Sequence, residues 1–248
     1  GLTLAGSSGL HDLRFSAGAE NLTTVIAVRT LSCEPGSFLE NLTVGFSCEP
    51  CDAGMYQPLP GQSACKSCVK GQYYSATGGA VNCSIALPGQ YTAVDRATEL
   101  QLCEAGTYQD LPGQSECKSC LAGTYSNVEA AVRCRPAEPG NYTSTDESRF
   151  ASVCDAGKYS SLPGQSACKP CVKGQYAATG GAVNCSIALP GHVVAQDEAK
   201  ASQVCTAGTF QPLPGQSACK SCEKGQYSEF DAAVNCNITL PGQYTAVD

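Results

Sequence analysis

The sequence predicts a small disulfide-rich fold, mostly β hairpins and loops, drawn out as an elongated tandem-repeat rod of 17-residue units grouped in super-repeats of about 51 residues. Three observations predict it. Eighteen cysteines, an even number with none before position 33, stand where a large apolar core would otherwise be needed: the 248 residues include no Trp, one Met and six Phe, against 26 Gly and 14 Pro. That composition suits covalent staples formed in an oxidising compartment. From residue 33 onward the chain also repeats its own text, and every repeat has Gly at its fourth position and, Val193 excepted, Tyr or Phe at its sixth.

Residues 1–32 stand outside the repeat. They hold no cysteine, and the run NLTTVIAVRTLS concentrates β-branched and apolar residues at Thr23, Thr24, Val25, Ile26 and Val28, which predicts a strand. Such a strand either belongs to a domain of its own or docks on a neighbouring copy of the chain, by strand addition or by lying along its repeats. The sequence opens at Gly1 without a signal-peptide pattern and stops at Asp248 partway through a repeat, so it reads as a window on something longer.

The repeats follow as an opening cysteine-rich unit, 33–50, then super-repeats at 51–102, 103–153 and 154–204 and a truncated one at 205–248. Within a super-repeat the first unit carries LPGQSAC or LPGQSEC, the second carries KGQY or AGTY, and the third lacks cysteine at its first and fifteenth positions. Those two positions are lost together, as Ala86 with Leu100, Ala137 with Ala151 and Ala188 with Ser202. Joint loss implies that they bond each other, since losing one alone would strand a thiol. The pairing is then Cys33 with Cys48, Cys51 with Cys65, Cys68 with Cys83, Cys103 with Cys117, Cys120 with Cys134, Cys154 with Cys168, Cys171 with Cys185, Cys205 with Cys219 and Cys222 with Cys236. A crossed scheme, first with third and second with fourth in each run of four, is the alternative. The lone opening pair Cys33 and Cys48 favours pairing within the unit.

Each unit reads as a stapled hairpin. The ring opens a short strand, LPGQ puts Pro and Gly at the centre of a type II turn, and a second strand returns to the closing cysteine. The fourth-position glycine marks a backbone that needs positive φ or close approach, and the ring covers a neighbouring disulfide. A disulfide closing such a loop contributes about 3 kcal/mol in the chain-entropy account. In the cysteine-free units, Asp95, Asp146 and Asp197 each precede a stretch of good helix formers, so one or two capped helical turns are expected there, with an irregular loop as the alternative.

Six sequons, at Asn21, Asn41, Asn82, Asn141, Asn184 and Asn237, predict N-linked glycans and an extracellular or cell-surface location. A net charge of -7 excludes a basic patch for nucleic acid, and no apolar run reaches the length of a membrane span. Catalytic chemistry finds no footing. Cys48, Cys51, Cys65 and Cys68 have the spacing of a four-cysteine zinc site, but in later repeats that register runs into Ala86, Ala137 and Ala188. Thioredoxin-like redox work needs a βαβ setting that Gly- and Pro-punctuated hairpins lack. His11 and His192 sit in unrelated contexts, and Asp52, Asp110 and Asp155 form no calcium-loop pattern. No enzyme activity, metal or cofactor is expected.

The segment CDAGMYQPLPGQSACKSC resembles the cysteine-rich modules of ephrin-receptor-like and tumour-necrosis-factor-receptor-like ectodomains, and the resemblance extends over residues 33–248. It implies an elongated rod of stacked hairpins; similar tandem forms occur in secreted and surface proteins of protists and algae. The chain departs from the receptor pattern by losing every third pair and by lacking a crossed-pair second module, which weighs against a receptor. Near-copies such as 51–102 and 154–204 point to a structural glycoprotein whose partners are copies of itself, polymerised into an extracellular filament or surface appendage of mastigoneme-like kind. The alternative is the stalk or ligand-binding ectodomain of a receptor or adhesin.

Overall fold

A computed structural model describes residues 11–13, 26–28, 32–42, 45–74, 78–240 and 242. Among them there is no helix, and every strand pairs antiparallel with one partner in a two-stranded sheet. The chain divides into two compact units, residues 1–102 with 109–117, and residues 103–108 with 118–248.

The first compact unit begins with His11–Leu13 paired to Ile26–Val28, in the register His11 opposite Val28 and Leu13 opposite Ile26. The opening repeat forms a longer hairpin, Ser37–Leu42 against Gly45–Pro50. Hairpins with two-residue strands follow: Met55–Tyr56 with Lys66–Ser67, Gln72–Tyr73 with Ser84–Ile85, and Gln90–Tyr91 with Gln101–Leu102. The second compact unit holds eight more of the same design, from Thr107–Tyr108 with Lys118–Ser119 to Gln226–Tyr227 with Asn237–Ile238.

A two-residue strand pair is not stable by itself. A backbone ladder between successive repeats supplies what each hairpin lacks. In repeat 137–153 the Ala137 and Glu147 N–H groups donate back to the carbonyls of Gly123 and Cys120 at 2.9 and 2.7 Å. Its Gly140 and Thr143 N–H groups donate forward to the carbonyls of Ser160 and Gln165 at 2.8 and 3.2 Å. Repeat 86–102 makes the same four bonds, from Ala86 to Gly71 and Arg96 to Cys68 behind, and from Gly89 to Gln109 and Thr92 to Gln114 ahead. Main-chain atoms alone make these bonds, so a repeat without cysteines keeps its place.

The structure corrects one expectation. The helical turns expected after Asp95, Asp146 and Asp197 do not form; Gln101–Leu102, Ser152–Val153 and Gln203–Val204 are strands, as in the stapled repeats. Two reasons suffice: an isolated turn is too short to hold itself, and the ladder has already claimed the backbone groups a helix would use. The turns follow the sequence. Gly164, in LPGQ, has φ +75°, as the third residue of a type II turn requires. At the equivalent place the other described turns have either Gly or a non-glycine residue with positive φ: Arg96, Ala130, Glu147, Glu198 and Ala232.

Candidate functional site: the disulfides and a buried polar position

The first residue of each repeat from Cys33 to Cys205 is buried, whether cysteine or the alanine that replaces it at Ala86, Ala137 and Ala188. Each buried cysteine position is closed within its own repeat. Disulfides join Cys33–Cys48, Cys51–Cys65, Cys68–Cys83, Cys120–Cys134, Cys154–Cys168, Cys171–Cys185, Cys205–Cys219 and Cys222–Cys236, with Cα separations of 5.5 to 5.8 Å. Cys103 and Cys117 are likewise disulfide-bonded. The crossed scheme is therefore not the one adopted, and the C-x-x-C sulfurs are tied up in disulfides rather than offered as thiolate ligands.

The ring takes the place expected of it at one repeat. Tyr142 lines a small cleft with Cys168 of the next repeat's disulfide, together with Asp155, Lys158 and Ala167. Where the disulfide is missing, Tyr176 packs on the cluster of Ala188, Val194 and Ala199 that fills its place. A third ring, Tyr108, carries the Lys118 ammonium 5.8 Å from its centroid.

A recurrent buried polar position is one that sequence reasoning missed. The seventh residue of most repeats is a polar side chain buried to within a few per cent: Gln57, Thr92, Gln109, Ser126, Thr143, Ser160, Gln211 and Ser228. Burying an amide or hydroxyl without a partner is unfavourable, and each is satisfied in a manner set by its size. Gln211 spans its own hairpin, donating from Nε2 to the Ala218 carbonyl at 2.7 Å and accepting from the Leu213 N–H at 3.3 Å. Gln57 and Gln109 do the same. Ser160 reaches only the Leu162 carbonyl, while the hydroxyl of Thr143 turns back to the Thr124 carbonyl of the preceding repeat. The signal available in the sequence was the recurrence of Gln before the turns of 51–67, 103–119 and 205–221.

The aspartates read as helix caps serve the repeat behind them. Asp95, Asp146, Asp197 and Asp231 each accept, at Oδ1, the backbone N–H of the preceding repeat's third residue: Lys70, Ala122, Lys173 and Ala207, at 2.8 to 3.0 Å. The ion pairs Arg149–Glu104 at 3.7 Å and Lys158–Glu198 at 3.6 Å lie at the surface and add little.

Among the sequons, Asn41, Asn82, Asn184 and Asn237 are exposed and Asn141 is half-buried beside its buried Thr143; Asn21 lies outside the described residues. Of the residues considered for subunit contact, Ile26 and Val28 pair with Leu13 and His11 of the same chain, and Thr23, Thr24 and Val25 lie outside the described residues. His192 Nδ1 lies 3.3 Å from the Pro190 carbonyl. No helix among the described residues is long and apolar enough to cross a membrane.

Residues 89–132 match the family described as tyrosine-protein kinase ephrin type A/B receptor-like. The chain carries cysteine-rich, ephrin-receptor-like repeats. The match begins at the fourth-position glycine of a cysteine-free repeat and runs through Cys103, Cys117 and Cys120, so the variant without a staple falls inside it. No curated protein matches the chain. Ephrin-receptor-like repeats are extracellular-type, non-catalytic modules, of the kind found in receptor-like or structural ectodomains.

Proposed function

We propose that the chain is a structural glycoprotein that builds an extracellular filament or surface appendage, mastigoneme-like in kind, from copies of itself. The observation that carries this reading is the uniformity of the ladder: stapled and cysteine-free repeats present the same backbone groups to their neighbours. Uniform repeats suit reach and stiffness better than the recognition of one ligand. N-linked glycans on exposed Asn82 and Asn184, which occupy equivalent places six repeats apart, would clothe such a polymer. The segment around Thr23, Thr24, Val25, Ile26 and Val28 is the proposed subunit contact, with the edge of Ile26–Val28 away from His11–Leu13 as its described part.

Electron microscopy of the native, unreduced material tests this reading. Polymers whose axial repeat matches a whole number of these units are expected, and isolated rods that never associate would overturn it.

A second reading, the stalk or ligand-binding ectodomain of a receptor or adhesin, is favoured by the match of 89–132 to a receptor-type family and by the exposed rings of Phe150 and Phe230. Isolated rods that capture a soluble ligand through the repeats bearing those rings would support it.

A further inference from the structure

We infer that the cysteine-free repeats 86–102, 137–153 and 188–204 hold hidden length: in an array under tension they open first and reclose on release, while the stapled repeats stay shut. This holds whether the array is a filament subunit or a stalk.

The inference rests on the path that tension takes through the chain. In a stapled repeat the load enters at one cysteine and leaves at its partner, 14 residues on in Cys154–Cys168, so the loop between them is bypassed. Only the link to the next staple extends, three residues from Cys168 to Cys171 (171 − 168 = 3). Across the cysteine-free repeats the bypass is missing. The covalent path runs 20 residues from Cys134 to Cys154 (154 − 134 = 20) and 20 from Cys185 to Cys205 (205 − 185 = 20). Cys83 to Cys103 gives the same span (103 − 83 = 20).

At about 3.4 Å per residue, a 20-residue span draws out to about 68 Å and a three-residue link to about 10 Å. A load favours opening in proportion to the length released, which is the drawn-out length less the resting separation of the two cysteines; a link that draws out to only about 10 Å has little to release, and a 20-residue span has much more.

The resting array shows nothing of this difference. Repeat 188–204 is held by the same ladder as a stapled one: the Ala188 N–H donates to the Gly174 carbonyl at 2.9 Å, Glu198 to Cys171 at 2.8 Å, Gly191 to Gln211 at 2.7 Å and Val194 to Gln216 at 2.9 Å. Its Asp197 adds the bond to the Lys173 N–H at 2.9 Å. When the repeat opens, its neighbours remain covalently closed and keep those partner groups in place, so reclosing is templated from both sides.

Single-molecule pulling on the full oxidised chain, held by its termini, tests the inference. Besides the extension of the unstapled ends before Cys33 and after Cys236, three equal steps are expected, each releasing about 20 residues' worth of contour at about 3.4 Å per residue, and each recovered on relaxation. Reductant is expected to add further steps from the stapled repeats, a comparison that needs no variant. Restoring a pair, as Ala137→Cys with Ala151→Cys or separately Ala188→Cys with Ser202→Cys, is expected to remove one step each time. Steps from every repeat of the oxidised chain, extension without these three steps, or three steps persisting after both added disulfides are confirmed by mass would each overturn it.

Discussion

Gly140 lies directly beneath Gly181 of the repeat two further along, so close that a Cβ at Gly140 would overlap the Gly181 carbonyl oxygen. Gly157 sits in the same way beneath Glu198, and Gly174 beneath Gly215. The fourth-position glycine therefore answers two demands at once, a φ of +82° at Gly140 and a neighbouring main chain that cannot move aside. Gly140→Ala is expected to destabilise the array by about 3 kcal/mol, combining backbone strain with the clash. Gly164→Ala, at φ +75° with only the Pro136 side chain near its Cβ at 3.8 Å, should cost only the backbone part, about 1 kcal/mol. The midpoints of urea unfolding of the two oxidised variants check the difference.

Asp197 supplies a side-chain acceptor where the ladder leaves the Lys173 N–H over. Asp197→Ala is expected to speed hydrogen exchange at the Lys173 amide and to cost about 1 kcal/mol. Asp197→Asn should keep most of the protection, since its amide oxygen accepts the same bond. Amide exchange at Lys173 distinguishes the two.

Gln211 is buried with both ends of its amide engaged inside one hairpin. Gln211→Leu keeps the bulk and removes the bonds, leaving the Ala218 carbonyl and the Leu213 N–H without that partner. A loss of about 2 to 3 kcal/mol is expected. Denaturation of the variant beside an exposed control, Gln203→Leu, isolates the buried contribution.

The within-repeat disulfides predict a sharp asymmetry between removing a pair and removing half of one. Cys154→Ala with Cys168→Ala recreates the composition of repeat 137–153 and is expected to fold, at a cost of about 3 kcal/mol. Cys168→Ala alone leaves a thiol at the buried Cys154 and is expected to give mispaired or linked products. Thiol titration and disulfide mapping of both variants test this.

The repeat, the turn and the pairing could be read from the sequence because each leaves a mark on identifiable residues. Ala137 and Ala151 vanish from the cysteine set together, and PG at 163–164 names its own turn. The ladder leaves no such mark, since Gly123, Ser160 and Gln165 contribute only main-chain atoms to it. Gln57 and Ser126 escaped notice because a polar residue after an aromatic in a short strand reads as surface, and only the fold shows it turned inward. Asp146 was misread for a chemical reason. A helix cap and this bond both use a carboxylate oxygen accepting a backbone N–H; here the donor, Ala122, lies 24 residues behind rather than two or three ahead.

A ladder made of main-chain atoms also frees the length of the array from the chemistry of its surface. A block of three repeats inserted at a super-repeat boundary would meet, at both ends, the backbone donors and acceptors that its predecessors met. No pair of side-chain surfaces would have to be matched anew. Copying a stretch such as 154–204 therefore lengthens the chain without a new interface having to arise, and the near-identical text of 51–102 and 154–204 is what growth by such copying leaves behind.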